Sequence, residues 1–214
     1  MYEYVFFDLD GTLTDSGEGI INAAVYALEK YNIEVNDRSE LRKFIGPPLQ
    51  DSFSTDYGFS EDEIEDVIKT FREYYSEKGI FENTIYENIQ TVLFELKTRG
   101  KKLVVATSKP EVFTKKVLDH FNISSYFDYV SGATLNNEKI KKVDIIRDAI
   151  CKLGITDKSK VVMIGDRKLD VLGAKENGID SIGVFWGYGD LLELEKVGPT
   201  YIAEKVLDLL EIIK

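Results

Sequence analysis

Cysteine is almost missing from this chain: a single residue, Cys151, occurs in 214 positions. No internal disulfide can form, which fits a reducing compartment. Cys151 falls in an apolar helical pattern and is expected to be a buried structural thiol rather than a nucleophile. Histidine is just as scarce, and His120, beside Phe121 at a helix end, reads as structural. Positive charge is also short, with 27 Lys and Arg against 38 Asp and Glu and a formal net charge of −11. Duplex nucleic acid is therefore a disfavoured partner, since binding it depends on clustered basic residues. A small phosphorylated molecule stays open, because one local basic site can override the global field. No run approaches the ~20 apolar residues of a membrane span, and no charged-then-apolar leader precedes the first apolar run. The expectation is a cytosolic protein with no membrane partner, monomeric or homodimeric. Internal repeats and low-complexity linkers are absent too.

What is present suits a globular protein with one sizeable core or two unequal lobes: 43% hydrophobic and 30% charged residues. Tyr4 to Phe7 is an aromatic and β-branched run that reads as a buried strand. An all-helical interval follows. Ile20, Ile21, Ala24, Val25 and Leu28 recur at helical spacing, a short amphipathic piece runs from Ser39 to Ile45, and Leu49 to Tyr57 is closed by Gly58. Ser60-x-x-Glu63 is a capping box opening a helix with an Ile64, Val67, Ile68, Phe71, Tyr75 stripe to about Lys78. No strand pattern appears between residues 15 and 81. Beyond Phe81, strand and helix alternate. Helices are expected at Ile85 to Arg99, Glu111 to Phe121, Val143 to Leu153, Asp170 to Asn177 and from about Lys205. Strands are expected at Lys102 to Thr107, Phe127 to Ser131, Lys160 to Gly165, Ser181 to Phe185 and Tyr201 to Ala203. Continuous apolar strands between amphipathic helices predict an α/β, Rossmann-like parallel sheet covered on both faces. Residues 1–14 and 82–214 would form this core, and 15–81 an inserted α-helical cap.

In open parallel sheets, ligands gather at the carboxyl ends of the strands. The first strand ends in Asp8-Leu9-Asp10-Gly11-Thr12, with both carboxylates on one side of the chain. Two close carboxylates repel, and a hard divalent cation such as Mg²⁺ removes the conflict. Taken alone, the pair reads more readily as an acidic solvated turn. The second strand ends in Thr107-Ser108-Lys109-Pro110 before a helix N-terminus, where hydroxyl and free N–H groups favour phosphate. The fourth ends in Gly165-Asp166-Arg167-Lys168-Leu169-Asp170, adding two carboxylates. Lys139, Lys141 and Lys142 open the helix before it, where positive charge opposes the macrodipole. Each feature has an ordinary reading as a cap, a turn or a solvated face. Together they point to a site.

Asp8-Leu9-Asp10-Gly11-Thr12-Leu13, Thr107, Lys142 and Gly165-Asp166-x-x-x-Asp170 resemble, in order and spacing, the four motifs of the haloacid dehalogenase-like hydrolases. The helical insertion looks like the cap of their phosphoglycolate-phosphatase-like branch. Ser108 departs from the Asn frequent after the second motif's hydroxyl, and Lys142 is chosen over Lys139 by the Val-Asp-Ile-Ile that follows it. The resemblance implies a Mg²⁺-dependent phosphatase acting on a small phosphorylated metabolite, of the phosphoglycolate or nucleoside monophosphate class. Asp8 would be the nucleophile, passing through an aspartyl-phosphate, and Asp10 the acid and then the base. The metal would be held by Asp8, the backbone carbonyl of Asp10 and Asp166, with Asp170 a ligand through water or a group that orients the others. The phosphoryl oxygens would meet Gly11, Thr12, Thr107, Ser108 and Lys142.

Arg42 and Lys43, before Ile45-Gly46-Pro47-Pro48, are candidate contacts for an anionic part of the substrate, and Asp15 falls at the expected hinge between core and cap. Trp186 and Tyr188 follow the fifth strand, where packing under the loop is the favoured reading. Alternatives within the resemblance are a phosphosugar mutase of the β-phosphoglucomutase kind and an inorganic pyrophosphatase. A signalling receiver domain would place its acceptor at a later strand in a shorter chain. A dinucleotide module is opposed by Gly17-Glu18-Gly19, which follows a turn and lacks the fingerprint.

Overall fold

A computed structural model describes residues 1–135 and 139–214. Its centre is a parallel sheet whose first strand, β1 (Tyr4–Phe7), is buried because both its faces are apolar. Val5 and Phe7 point into one hydrophobic cluster and Phe6 into the other, as the two-residue period of a strand requires. Two short strands come next in partnership: β2 (Thr14–Asp15) pairs antiparallel with β3 (Thr84–Ile85). Between them lie α1 (Gly17–Lys30), a 3₁₀ segment at Arg38–Phe44, α2 (Leu49–Tyr57) and α3 (Glu61–Tyr74), with one π turn at Tyr75–Gly79. The insertion is therefore helical and enters and leaves the core through one two-stranded ribbon.

The rest of the chain alternates: α4 (Ile89–Thr98), β4 (Lys102–Pro110), α5 (Glu111–His120), β5 (Phe127–Ala133), α6 (Lys142–Lys152), β6 (Val161–Gly165), α7 (Lys168–Asn177), β7 (Asp180–Val184), α8 (Leu191–Val197), β8 (Tyr201–Ala203) and α9 (Leu209–Ile212). Among the described residues the sheet has six strands in the order β5-β4-β1-β6-β7-β8, and every pairing is parallel. Residues of α6 and α7 bury Phe6, Val104 and Met163, while α4 and α5 cover the face carrying Phe7 and Val105. This is the α/β core with an inserted helical layer that the strand and helix rhythm predicts. The chain leaves β1 for β4 and β5 on one side and returns to β6 on the other. The switch between β1 and β6 opens a crevice at their carboxyl ends.

Several boundaries differ, each for a physical reason. The helix expected from Ile85 begins at Ile89, because Ile85 pairs with Thr14 and Asn88 adopts a left-handed conformation at φ 67°. Two-residue strands carry no periodicity, so β2 and β3 leave no trace in the pattern. Strand β4 extends to Pro110, past Thr107. The short helix α8 was not anticipated. Cys151 is exposed rather than buried: it lies on the solvent side of α6, next to the buried Ala149 and Ile150. His120 packs against Phe81 and Phe121, with ring centroids 5.2 and 4.9 Å away.

Candidate active site

The register sets the site. Phe7 is paired with Val105 of β4 and Ile164 of β6, so the residues just beyond each strand emerge side by side. Asp8 follows β1, with its N–H donating to Ile164 O at 2.9 Å. The chain then wraps around one carbonyl, since Thr12, Leu13 and Thr14 N–H all donate to Leu9 O at 2.9 to 3.2 Å. Asp166 and Asp170 enter from the β6–α7 turn. Oxygens of Asp8, Asp166 and Asp170 lie within 4.8 Å of one another, and all three residues are buried. Glycine makes this closeness possible: a Cβ on Gly11, at φ +81°, would sit 2.3 Å from Asp166 Oδ2.

One lysine serves this acidic cluster. Lys142 Nζ, on the first residue of α6, is 2.9 Å from Asp8 Oδ1, 2.8 Å from Asp170 Oδ1 and 3.2 Å from Ala106 O. Burial, the largest influence on Lys142, pulls its pKa down, yet Asp170 and Asp8 outweigh it and hold the amine above its ordinary value. Lys139 is elsewhere, paired with Asp148 at 2.9 Å, and Lys141 is exposed. A single positive charge does not balance three carboxylates. Burial, then the charges of Asp170 and Asp8, push Asp166 up to about 8. Burial and Asp8 likewise raise Asp170 to about 6, against the pull of Lys142. Asp166 Oδ1 is buried with no partner among the described residues. An all-oxygen set with excess negative charge and an orphaned acceptor fits a hard divalent cation.

Asp10 faces the other way. Its two oxygens accept from Lys109 Nζ at 2.8 and 2.7 Å, both partners being buried, and the ammonium lies 4.9 Å from the centre of the Tyr75 ring. Its carboxylate thus stands outside the metal-type cluster, and the resemblance assigned only its carbonyl to the metal. Lys109 escaped the sequence reading, although it shares strand parity with Thr107 and could have been found from it. Thr107 Oγ1 accepts from Lys109 N–H at 3.2 Å. Ser108 lines the cleft beside Asp10, and its hydroxyl is buried without a partner among the described residues.

Other expected contacts fall differently. Gly11 N–H donates to Thr14 O at 2.8 Å and Thr12 N–H to Leu9 O at 3.2 Å, so neither amide is free for a phosphate. These residues shape the loop. Arg42 is exposed and stacks over the Tyr188 ring at 5.9 Å, in a groove on the hinge side. Lys43 pairs with Asp56 at 3.5 Å and lies over Tyr57. Neither lines the cleft beside Asp10, where the helical insertion contributes a different cation, Arg72.

The loop after β7 clamps the arrangement. Tyr188 and Gly189 N–H donate to Asp166 Oδ2 at 2.7 and 3.2 Å, and Trp186 Nε1–H donates to Thr12 O at 3.0 Å. Tyr188 O–H donates to Asp15 and accepts from Gly17 N–H, tying the Asp166 clamp to the root of the insertion. A Cβ at Gly189 would meet Asp166 O at 1.7 Å. Arg167 Nη1 donates to Ile45 O at 2.7 Å, a second bond from core to insertion.

A family model described as haloacid dehalogenase-like hydrolase matches residues 5–184. The chain belongs to that family. A solved structure of a predicted phosphatase from Clostridium acetobutylicum is similar to this hydrolase, with a TM-score of 0.97 and 46% identity over 100% of this chain and 98% of that one. A 5'-nucleotidase of Pseudomonas aeruginosa is 37% identical over 100% of this chain and 96% of its own length. The tyrosine-protein kinase PtkA of Mycobacterium tuberculosis is 36% identical over 94% of this chain and 68% of its own. Relatives of this haloacid dehalogenase-like hydrolase thus bear the names of different activities. Among the described residues, no helix is long and apolar enough to cross a membrane.

Proposed function

We propose that the chain is a Mg²⁺-dependent phosphatase that hydrolyses a small phosphomonoester through a phosphorylated Asp8. The observation that carries this reading is the buried convergence of Asp8 with Lys142, Asp166 and Asp170 at the sheet's switch point. A bound Mg²⁺, held by Asp8, Asp166, Asp170 and the Asp10 carbonyl, would neutralise charge on the phosphoryl oxygens. Asp8, held by Leu9 N–H at 2.7 Å and by Lys142, is fixed in one orientation for in-line attack on phosphorus. Attack forms the Asp8–phosphorus bond and releases the leaving alcohol, which takes a proton from Asp10. Asp10 then removes a proton from the water that hydrolyses the acyl phosphate. Lys109 positions Asp10 between these roles. Lys142 and the Thr107 hydroxyl would stabilise the transferring oxygens without reorganisation.

Residues 1–14 and 82–214 act as the catalytic core and 15–81 as a cap. The cap closes over the cleft through Tyr75 against Lys109 and Ile45 against Arg167, which excludes water from the reaction. The reading is tested by phosphate release over a panel of phosphorylated metabolites, with Mg²⁺ or with chelator. Chelator-sensitive release of inorganic phosphate is expected. Rearrangement of a phosphosugar without phosphate release would overturn the reading.

A further inference from the structure

We propose that Arg72 selects the substrate by binding a negative charge on its leaving group, so that the preferred substrates are compact phosphate esters or anhydrides whose departing half is itself an oxyanion. The proposal rests on the phosphatase reading above and names the substrate class for it.

The cleft between insertion and core has Asp10 at its inner end and encloses about 70 Å³. Clefts that take drug-sized ligands run to roughly 300–1,000 Å³. With the insertion docked as it is, the covered space beside Asp10 suits a leaving group of a few heavy atoms better than a nucleoside. Much of the wall is apolar, including Phe44, Leu49, Phe71 and Phe113, and offers little to the hydroxyls of a sugar. The polar groups that remain are few. Lys109 is already engaged by both oxygens of Asp10.

Arg72 differs. It is the one cation that the insertion supplies to this lining, and burial lowers its pKa, with no carboxylate among the described residues acting to restore it. The only hydrogen bond of its side chain among the described residues is a long one, from Nη1 to Leu135 O at 3.5 Å. A half-buried guanidinium with no anionic partner among the described residues is well placed to take one from a ligand. The Ser108 hydroxyl lines the same cleft, buried and unpartnered among the described residues. A planar guanidinium fork and a hydroxyl donor are the pair that a carboxylate or phosphate uses. The cleft that Arg72 and Ser108 line is therefore suited to a second oxyanion, whether carboxylate or phosphate.

Purified wild type, Arg72→Gln and Arg72→Lys are compared with Mg²⁺ on 2-phosphoglycolate, pyrophosphate, ethyl phosphate and a nucleoside monophosphate. Ethyl phosphate matches the small size but leaves as a neutral alcohol, so its turnover also reports that a variant is folded. The kcat/KM ratio of the better anionic substrate to ethyl phosphate should fall on the order of 10- to 100-fold in Arg72→Gln, the worth of a charged hydrogen bond. Arg72→Lys should recover part of it. A larger fall with 2-phosphoglycolate identifies a carboxylate as the bound group, and a larger fall with pyrophosphate identifies a phosphate. An unchanged ratio, or a nucleoside monophosphate preferred by wild type, overturns the role of Arg72 while the phosphatase reading stands. Failure of wild type on all four substrates overturns that reading and this one with it.

Discussion

Replacing Lys142 with methionine keeps the side chain's length and removes the one ammonium that, among the described residues, pairs with the acidic cluster. Two buried carboxylates, Asp8 at 2.9 Å and Asp170 at 2.8 Å, lose the same cation. Removing one partner of a buried ion pair costs about 3–5 kcal/mol, because the other is left desolvated. Proton uptake by the carboxylates will recover part of that. The metal-free variant at neutral pH should therefore lose about 3 kcal/mol of unfolding free energy, read from urea denaturation in chelator. Mg²⁺ should behave in the opposite sense. With one positive charge fewer, the cluster holds a cation more tightly, so the stabilisation gained from Mg²⁺ should be larger in the variant than in wild type. Turnover of p-nitrophenyl phosphate should nevertheless drop on the order of 10²–10³, as for loss of one preorganised donor. A variant within about 0.5 kcal/mol of wild type, as expected of an ordinary surface substitution, with turnover barely altered, would refute the electrostatic argument.

Three further outcomes follow from the same contacts. Lys109→Met should slow hydrolysis of an alkyl phosphate, whose leaving group needs a proton from Asp10, by on the order of 10²-fold. Its effect on p-nitrophenyl phosphate should be smaller, and equal losses on both would remove the positioning role. In metal-free protein, Asp166 is held up to about 8 and Asp170 to about 6, so the folded state keeps protons that the unfolded chain releases near pH 4. Stability should accordingly be greatest at acid pH and fall as pH rises toward 8, and thermal unfolding with saturating Mg²⁺ should show that slope flattened. Tyr188→Phe removes the hydroxyl joining Asp15 and Gly17 but keeps the N–H on Asp166. It should cost about 1 kcal/mol and raise KM more than it changes the Mg²⁺ dissociation constant.

The sheet was legible because its strands are continuous apolar runs and its helices amphipathic, patterns that burial on two faces imposes. The acidic cluster was legible because Asp8, Asp166 and Asp170 sit at strand ends, where a parallel sheet gathers its ligands. Lys142 could be singled out from its neighbours by the helical pattern behind it, and the structure brings it to Asp8. Arg72 was not legible in the same way. It flanks the apolar stripe of α3, and only the docking of that helix on the core turns it toward Ser108 and Pro110. Arg42 and Lys43 illustrate the converse, since a basic turn before Gly-Pro-Pro looks like a rim, and the fold places neither in the cleft beside Asp10. The Tyr188 clamp joins positions 171 residues apart through Gly17, a contact that no local pattern encodes.

The central claim is that Asp8 carries the phosphoryl group. It is tested most directly by a quenched single turnover with substrate labelled at phosphorus. Wild type should retain acid-stable label on the peptide containing Asp8. Asp8→Asn, folded and still binding Mg²⁺, should retain none and release no phosphate. Label on another residue, or phosphate release by Asp8→Asn at a rate near wild type, would contradict the account.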